Sequence, residues 1–190
     1  MSSIKLKHSG GNSVIIAAPS SNPASDRTLT LPGDADGTIL TSNSDTGKIL
    51  QVVQGTSTTE DSFTTASFVA SSLSATITPT AASSKILIQS SFLVDTKAGN
   101  RQMQLAIFRS VNGGTFTNIS SGNNNTAIGT YAASTRLIEQ ASVLKLDTPS
   151  YSVGNSIVYK LYALSESANG LVTLQSQGNE GVIILQEVAA

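Results

Sequence analysis

The sequence predicts an all-β protein, with an N-terminal arm of short β-strands followed by an antiparallel β-sandwich or jelly roll that we expect to form trimers. Three observations predict this fold class. Apolar residues alternate with polar ones in many short segments, which is the period of a half-buried strand. Turn-forming Gly, Pro and Asn residues recur roughly every ten residues, as in sandwiches and barrels. Helix signals are weak by comparison, so the chain is expected to be β-structured throughout.

Residues 1–46 are predicted to form the arm. Their apolar segments are short and are separated by turn residues, as at Gly10–Asn12 and Pro32–Gly37. A segment of this kind cannot enclose a core within one copy, so we expect the arm to order against sister chains or a larger assembly. The apolar residues that would make these contacts are Ile4, Leu6, Val14, Ile15, Leu29 and Leu31.

Residues 47–190 are predicted to form the sandwich or jelly-roll body. Asn112-Gly113 is its strongest hairpin signal, because this dipeptide suits the tightest two-residue turns. The phenylalanines at 63, 68, 92 and 116 are expected in the core or at a trimer interface. Strands are predicted over residues 49–53, 62–69, 73–79, 84–94, 102–107, 115–119, 136–146, 157–164, 171–174 and 182–188.

Two segments carry a helical alternative. Ser57-Thr58-Thr59-Glu60 matches a capping box, but β-branched residues follow it rather than a helical apolar pattern. Residues 134–139 resemble a helix start, yet the alternation just behind them favours a strand. Both segments are therefore predicted to be non-helical.

Catalytic and metal chemistry have little support in this sequence. His8 is the single histidine and lies in the polar arm, so no histidine-based catalytic constellation is predicted. The absence of Cys removes disulfides, thiolate metal sites and cysteine nucleophiles. Asp34-Ala35-Asp36-Gly37 has its glycine too early for a calcium loop and is better explained as a tight turn. We predict no enzyme activity, no cofactor and no metal.

Charge and hydropathy limit the partners. The net charge is −1 and 12% of residues are charged, which gives no broad field to attract DNA or an anionic membrane. Apolar runs are far shorter than a membrane span. We therefore expect neither nucleic-acid binding nor membrane insertion.

One polar loop is a candidate for surface recognition. Asn123, Asn124 and Asn125, together with Tyr131, offer several hydrogen-bond donors and acceptors beside an aromatic ring. Sugar recognition uses this combination, since hydroxyl groups need paired hydrogen bonds and the ring covers the sugar's apolar face. A plain solvent-exposed loop is the alternative for the same residues.

The order of several short motifs resembles tail-fibre and other virion structural proteins of tailed phages, especially those of marine bacteria. The motifs are residues 3–14 and 28–32, Gly37 to Leu40, the body opening at residues 47–54, and the segments at 73–79 and 83–88. Phe108-Arg109-Ser110 and the closing strand at 182–188 also fit. The similarity spans nearly the whole chain. It implies a homotrimer on the virion exterior, held to other virion proteins by its N-terminal arm, with a body similar to tumour-necrosis-factor-like jelly rolls.

Two functions follow as hypotheses. In the first, the chain is a tail fibre or fibre-like component whose C-terminal body contacts a glycan on the host surface. In the second, it is a head fibre, decoration protein or tail-assembly adaptor with no receptor-binding role. The resemblance transfers no catalytic residues.

Overall fold

The computed structural model describes residues 3–7, 9–11, 13–17, 48–122, 126–166 and 170–190. The chain divides into two compact units, residues 1–41 and 42–190. Leu29 and Leu31 of the predicted arm lie outside the described residues, as do Asn123, Asn124 and Asn125 of the candidate loop.

The described part of the N-terminal unit is a β-hairpin. Strand β1 (Ser3–Lys7) pairs antiparallel with β2 (Ser13–Ala17), with Ile4 opposite Ile16 and Leu6 opposite Val14. Gly11 has a φ of 99°, a backbone conformation that glycine adopts without steric cost. The strands predicted around Ile4 and Ile15 are confirmed.

The described residues of the body form eleven strands and one short 3-10 turn at Ser176–Gly178. The strands are β3 (Ile49–Ser57), β4 (Asp61–Phe63), β5 (Val69–Ile77), β6 (Lys85–Asp95), β7 (Arg101–Val111), β8 (Thr117–Asn118), β9 (Ile128–Ala132), β10 (Ile138–Asp147), β11 (Ile157–Ser165), β12 (Val172–Leu174) and β13 (Gly181–Val188).

The first sheet is built around β6. β10 pairs with β6 over residues 86–95, so β13 and β12 must share the other edge of β6. On that edge β13 covers residues 85–91 and β12 covers residues 94–95. β3 pairs with β13, and β4 pairs with β12. The sheet thus has four strand positions, in the order β3/β4, β13/β12, β6 and β10.

The second sheet repeats this plan. β11 lies between β5 and β7, and the far edge of β7 is shared by β9 at residues 101–105 and β8 at residues 108–109. The four positions are β5, β11, β7 and β9/β8. Every pairing in both sheets is antiparallel, so the described body is all-β, as predicted.

The two sheets enclose one apolar core. Along β11 the burial alternates, with Ile157, Tyr159 and Leu161 fully buried and the residues between them partly exposed. The core draws on both sheets; its largest buried members are Leu73, Ile77, Ile86, Ile88, Phe92, Met103, Leu105, Ile107, Ile157, Tyr159, Leu161 and Leu174.

The phenylalanines divide between two environments. Phe63 and Phe92 lie in the core, as expected. Phe68 and Phe116 are half-buried and contact Phe108 and Tyr162, whose rings stack at 3.9 Å on the outer side of the second sheet. These rings form a small apolar cluster outside the main core.

The Asn112-Gly113 hairpin forms as predicted. Both residues have positive φ, 51° and 73°, which is the pattern of a type I′ turn, and the Gly114 amide donates to the carbonyl of Val111 at 3.0 Å. Asn118 then pairs with Phe108 across the hairpin.

Several element boundaries differ from the expectation, and β3 and β7 each run four residues beyond their predicted ends, to Ser57 and Val111. The strand predicted at 62–69 ends at Phe63, and β5 begins only at Val69, because the chain crosses there from the first sheet to the second. β9 was not predicted. Neither segment with a helical alternative forms a helix, and β10 begins at Ile138.

Candidate assembly face

The first sheet has an outer face that its own body leaves exposed. The registers place the same set of residues on one side across all four strand positions: Gln54 lies beside Ile184, Ile184 beside Gln89, and Gln89 beside Leu144. We call the outward set the assembly face. It comprises Val52, Gln54, Thr56, Val182, Ile184, Gln186, Leu87, Gln89, Ser91, Leu93, Gln140, Ser142, Leu144 and Leu146.

None of the side chains in this set is charged. Several are large and aliphatic, with exposed fractions of 69% for Leu144, 60% for Val52 and 52% for Leu146. The next outward position along β6 is Lys85, at the margin of the face. Solvent-facing sides of antiparallel sheets normally carry polar and charged residues, so this composition is typical of a surface that becomes covered.

Four of the polar side chains of the face pair with one another. Gln140 donates from Nε2 to the Ser91 hydroxyl at 2.7 Å, and Gln186 donates to the Gln89 carbonyl oxygen at 3.2 Å. Pairing within the face lowers the cost of removing these amides from water. A partner therefore meets aliphatic groups beside amides of which three already make a hydrogen bond within the face.

A shallow hollow of about 280 Å³ lies in the middle of the face. The small side chains of Ser91 and Ser142 open it between the larger Leu144 and Ile184. A hollow beside exposed leucines lets two surfaces interdigitate, which is the packing found at the centre of stable interfaces.

The described buried carboxylates are held by structural contacts. Asp95 has no exposed surface and pairs with Arg136, with Lys97 at 3.1 Å and with the Ser176 hydroxyl at 2.8 Å. The Arg136 guanidinium holds the pKa of Asp95 well below its usual range, although burial acts in the opposite direction. Lys97 also pairs with Glu60 at 3.0 Å, so this network joins the loops at one end of the body.

A second carboxylate lies between the sheets. Asp147 accepts hydrogen bonds from Arg109, at 2.8 and 3.0 Å, and from the Tyr159 hydroxyl at 2.7 Å. Burial raises the pKa of Tyr159, and the charge of Asp147 adds to the rise. This contact ties β10 to β7 and β11.

Glu187 is the third buried carboxylate. It accepts hydrogen bonds from the Gln51 amide, from the Thr80 and Ala81 backbone amides and from the Ser84 hydroxyl, at 2.7 to 3.0 Å. Burial alone would raise its pKa, but these donors outweigh burial and lower it. The loop between β5 and β6 is thereby fastened to β13.

The structure locates part of the sequence-predicted recognition site. Tyr131 lies on β9, is 59% exposed and stands opposite Gln102 on the outer side of the second sheet. This placement suits a contact with an external partner. In the predicted arm, Ile4, Leu6, Val14 and Ile15 all belong to the β1–β2 hairpin, and Leu6 is 58% exposed.

Sequence reasoning missed the assembly face. A signal was present in β13, where Val182, Ile183, Ile184 and Leu185 form an unbroken apolar run. Because successive residues of a strand point to opposite sides, such a run makes both faces apolar. Recognising the whole face also requires the strand order, which a single sequence does not provide.

Neither a membrane-spanning helix nor a metal-binding cluster is found in the described residues, and no family model matches the chain. In the part of the chain that the structure describes, no helix is long and apolar enough to cross a membrane. Among the same residues, no three His, Cys, Asp or Glu side chains are grouped so as to hold a metal ion. A scan against protein-family models and a search of curated proteins both return no match.

Proposed function

We propose that this chain is a structural protein of a virus particle: a homotrimeric tail fibre or fibre-like component on the virion exterior. Its N-terminal arm attaches to other virion proteins and its body contacts the host surface. The observation that carries the proposal is the assembly face, an exposed and uncharged surface that spans four strand positions and is half aliphatic. Such a surface suits burial against copies of the same chain, since no ion loses its hydration when it is covered.

The strand pairing supports a jelly-roll body. Counting β3/β4, β8/β9 and β12/β13 as one position each, the body has eight positions along the chain. The first pairs with the eighth, the second with the seventh, the third with the sixth and the fourth with the fifth. This nested antiparallel pairing is the jelly-roll pattern of a long hairpin wrapped into two sheets.

Trimer formation is tested by the mass of the protein in solution. Multi-angle light scattering should give about three times the chain mass of 19.5 kDa. Leu144→Lys should shift the protein to monomers without changing its circular dichroism spectrum, because it places charges in the covered face. The matched control is Val153→Lys, which changes a residue that is 57% exposed in the loop after β10 and should leave the mass unchanged. A monomeric wild type, or a Leu144→Lys protein that still forms trimers, would contradict the proposal.

The place of the chain on the virion is tested with antibodies against the purified protein. Electron microscopy of gold-labelled particles should show the antibodies on the tail. Purified protein should compete with phage for adsorption to host cells. Labelling on the head, or labelling without competition, would instead support a head fibre, decoration protein or adaptor. Particles that bind no antibody and lack the chain by mass spectrometry would exclude both roles.

A further inference from the structure

A second hollow lies at the edge of the sandwich, where one edge strand of each sheet faces the other. β10 is an edge strand of the first sheet, and β8 and β9 share an edge of the second. Between them is a groove of about 260 Å³. Its walls are Ser120, Ser121, Gly122, Thr126 and Ala127 on one side and Ser142, Val143, Leu144 and Lys145 on the other, with Ile107 also lining it.

The wall from the second sheet is held in place by backbone contacts. The Ile119 amide donates to the carbonyl of Ile107 at 2.9 Å, and the Ala127 amide donates to Leu105 at 2.7 Å. The Gly122 amide donates to the Thr126 carbonyl at 3.0 Å, which holds these two residues close together. A Cβ at position 122 would overlap this carbonyl oxygen, so this contact requires glycine. These contacts fix the wall of the groove that comes from the second sheet.

Lys145 supplies the charge of the groove. It lies beside Ile88 of β6 and shares the inward side of β10 with Val143, so its stem follows the edge of the core. The side chain is half-buried. Within the described residues it forms no ion pair, whereas Lys97, Arg109 and Arg136 each have a carboxylate partner. Its positive charge is therefore not neutralised by a carboxylate of the described residues.

The rest of the lining defines the shape of a ligand. Ser121, Thr126 and Ser142 present hydroxyl groups, while Ile107, Val143 and Ala127 present an apolar surface. Sugar rings combine hydroxyl groups at their rim with apolar C–H faces, and the volume is at the small end for ligand pockets, suited to about one ring. An inorganic anion would pair with Lys145 but leave the apolar surface uncovered.

We infer that this groove binds an acidic sugar residue, with its carboxylate at Lys145 and its hydroxyl groups at the serine and threonine side chains. The inference rests on the proposed contact with the host surface and names the class of glycan: an acidic polysaccharide carrying uronic or similar acids.

The groove and the assembly face meet at β10 and share two of its residues. Ser142 and Leu144 point to the assembly face and form the shared rim, whereas Val143 and Lys145 point toward the groove. Lys145 can therefore be changed without placing a charge in the assembly face. The oligomeric mass serves as an internal control for every variant.

The test is saturation-transfer difference NMR on the intact protein with sodium glucuronate, glucose and inorganic phosphate as probes. Glucuronate should give a saturable signal, and the signal from glucose should be at least tenfold weaker. Inorganic phosphate at the same concentration as glucuronate should displace little of it. Lys145→Gln should weaken glucuronate binding at least tenfold, and Lys145→Arg should retain most of it. The matched control, Lys160→Gln, removes a lysine on the outer side of the second sheet and should bind like the wild type.

Several outcomes would overturn the inference. These are no saturable glucuronate signal, equal signals from glucose, full displacement by phosphate, or unchanged binding in a Lys145→Gln protein of wild-type mass. A trimer that adsorbs to host cells but gives any of these results would refute the acidic-sugar site while leaving the proposed function intact. A protein that binds glucuronate through Lys145 but is absent from virions would do the reverse.

Discussion

Single residues decide how closely the two sheets approach each other. Gly55 on β3 lies against β5, and a Cβ at this position would overlap the Ser74 carbonyl oxygen and lie 3.0 Å from the Ala75 Cβ. The groups that would have to move are backbone atoms of a paired strand, so moving them costs free energy.

Gly55→Ala should therefore lower the free energy of unfolding by roughly 1–3 kcal/mol, because overpacking forces two strands apart. Denaturant unfolding followed by circular dichroism measures the change. The control is Gly129→Ala on β9, where nothing lies within 4 Å of the added Cβ. Equal stability of the two variants would show that the strands separate without cost.

At this scale the sequence predicted the exposure of Tyr131 but not the burial of Glu187. Tyr131 was expected on the surface and is exposed. Glu187 gave no sign of its burial, because the apolar run before it makes both faces of β13 apolar and does not show which way Glu187 points. Its inward direction depends on the register of β13, and its donor Ser84 lies 103 residues away. Contacts of this separation are not encoded in any local pattern.

At the scale of elements, buried carboxylates fasten loops to strands. Glu187 joins β3, β13 and the loop before β6, and Asp95 joins β6 to the segments on either side of it in space. Their hydrogen bonds and ion pairs favour the ionised forms. These carboxylates therefore make the loop ends of the body sensitive to acid.

The sign of the pH dependence follows from the lowered pKa values. A carboxyl group whose pKa is lower in the folded than in the unfolded protein stabilises the fold above its unfolded pKa, and this stabilisation is lost as pH falls through the folded pKa. The free energy of unfolding should decline below about pH 4.

Glu187→Gln should make this decline shallower and should lower stability at neutral pH by roughly 1–3 kcal/mol, since an amide nitrogen cannot accept the bonds that the carboxylate accepts. Urea unfolding at several pH values measures both effects. Glu180→Gln, a change at an exposed position, is the control and should follow the wild type. An unchanged pH profile in Glu187→Gln would show that this carboxylate does not contribute.

Most strands could be predicted because alternation is local. β6, β10, β11 and β13 begin and end within about two residues of the predicted bounds, an error that is usual for strand ends. β9 was not predicted, because Gly129 and Thr130 interrupt its apolar pattern. The sequence showed that β12 and β13 are separate strands. It did not show that both pair with the same edge of β6.

For the whole molecule, the distribution of charge predicts that association of the chains does not depend on ionic strength. The body's described ion pairs lie at loop ends and between the sheets, whereas the assembly face carries no charge. Association through this face should depend on apolar burial and neutral hydrogen bonds, which salt screens very little.

The oligomeric mass should therefore be the same at about 0.05 M and about 1 M NaCl, because no ion pair across the face is available for screening. Analytical ultracentrifugation at both concentrations checks this. Dissociation at high salt would point to charged groups outside the face as the basis of association. Stronger association at high salt would agree with apolar burial.

The pairing of the first and last body strands has a mechanical consequence. The Ala189 amide donates to the Lys48 carbonyl at 2.9 Å, and β3 runs antiparallel to β13 from this point over its whole length. Hydrogen bonds of an antiparallel pair lie across the strands. A pull on Lys48 along β3 therefore loads these hydrogen bonds together in shear instead of opening them one after another. The β3–β13 pair is thus arranged to resist tension applied at Lys48.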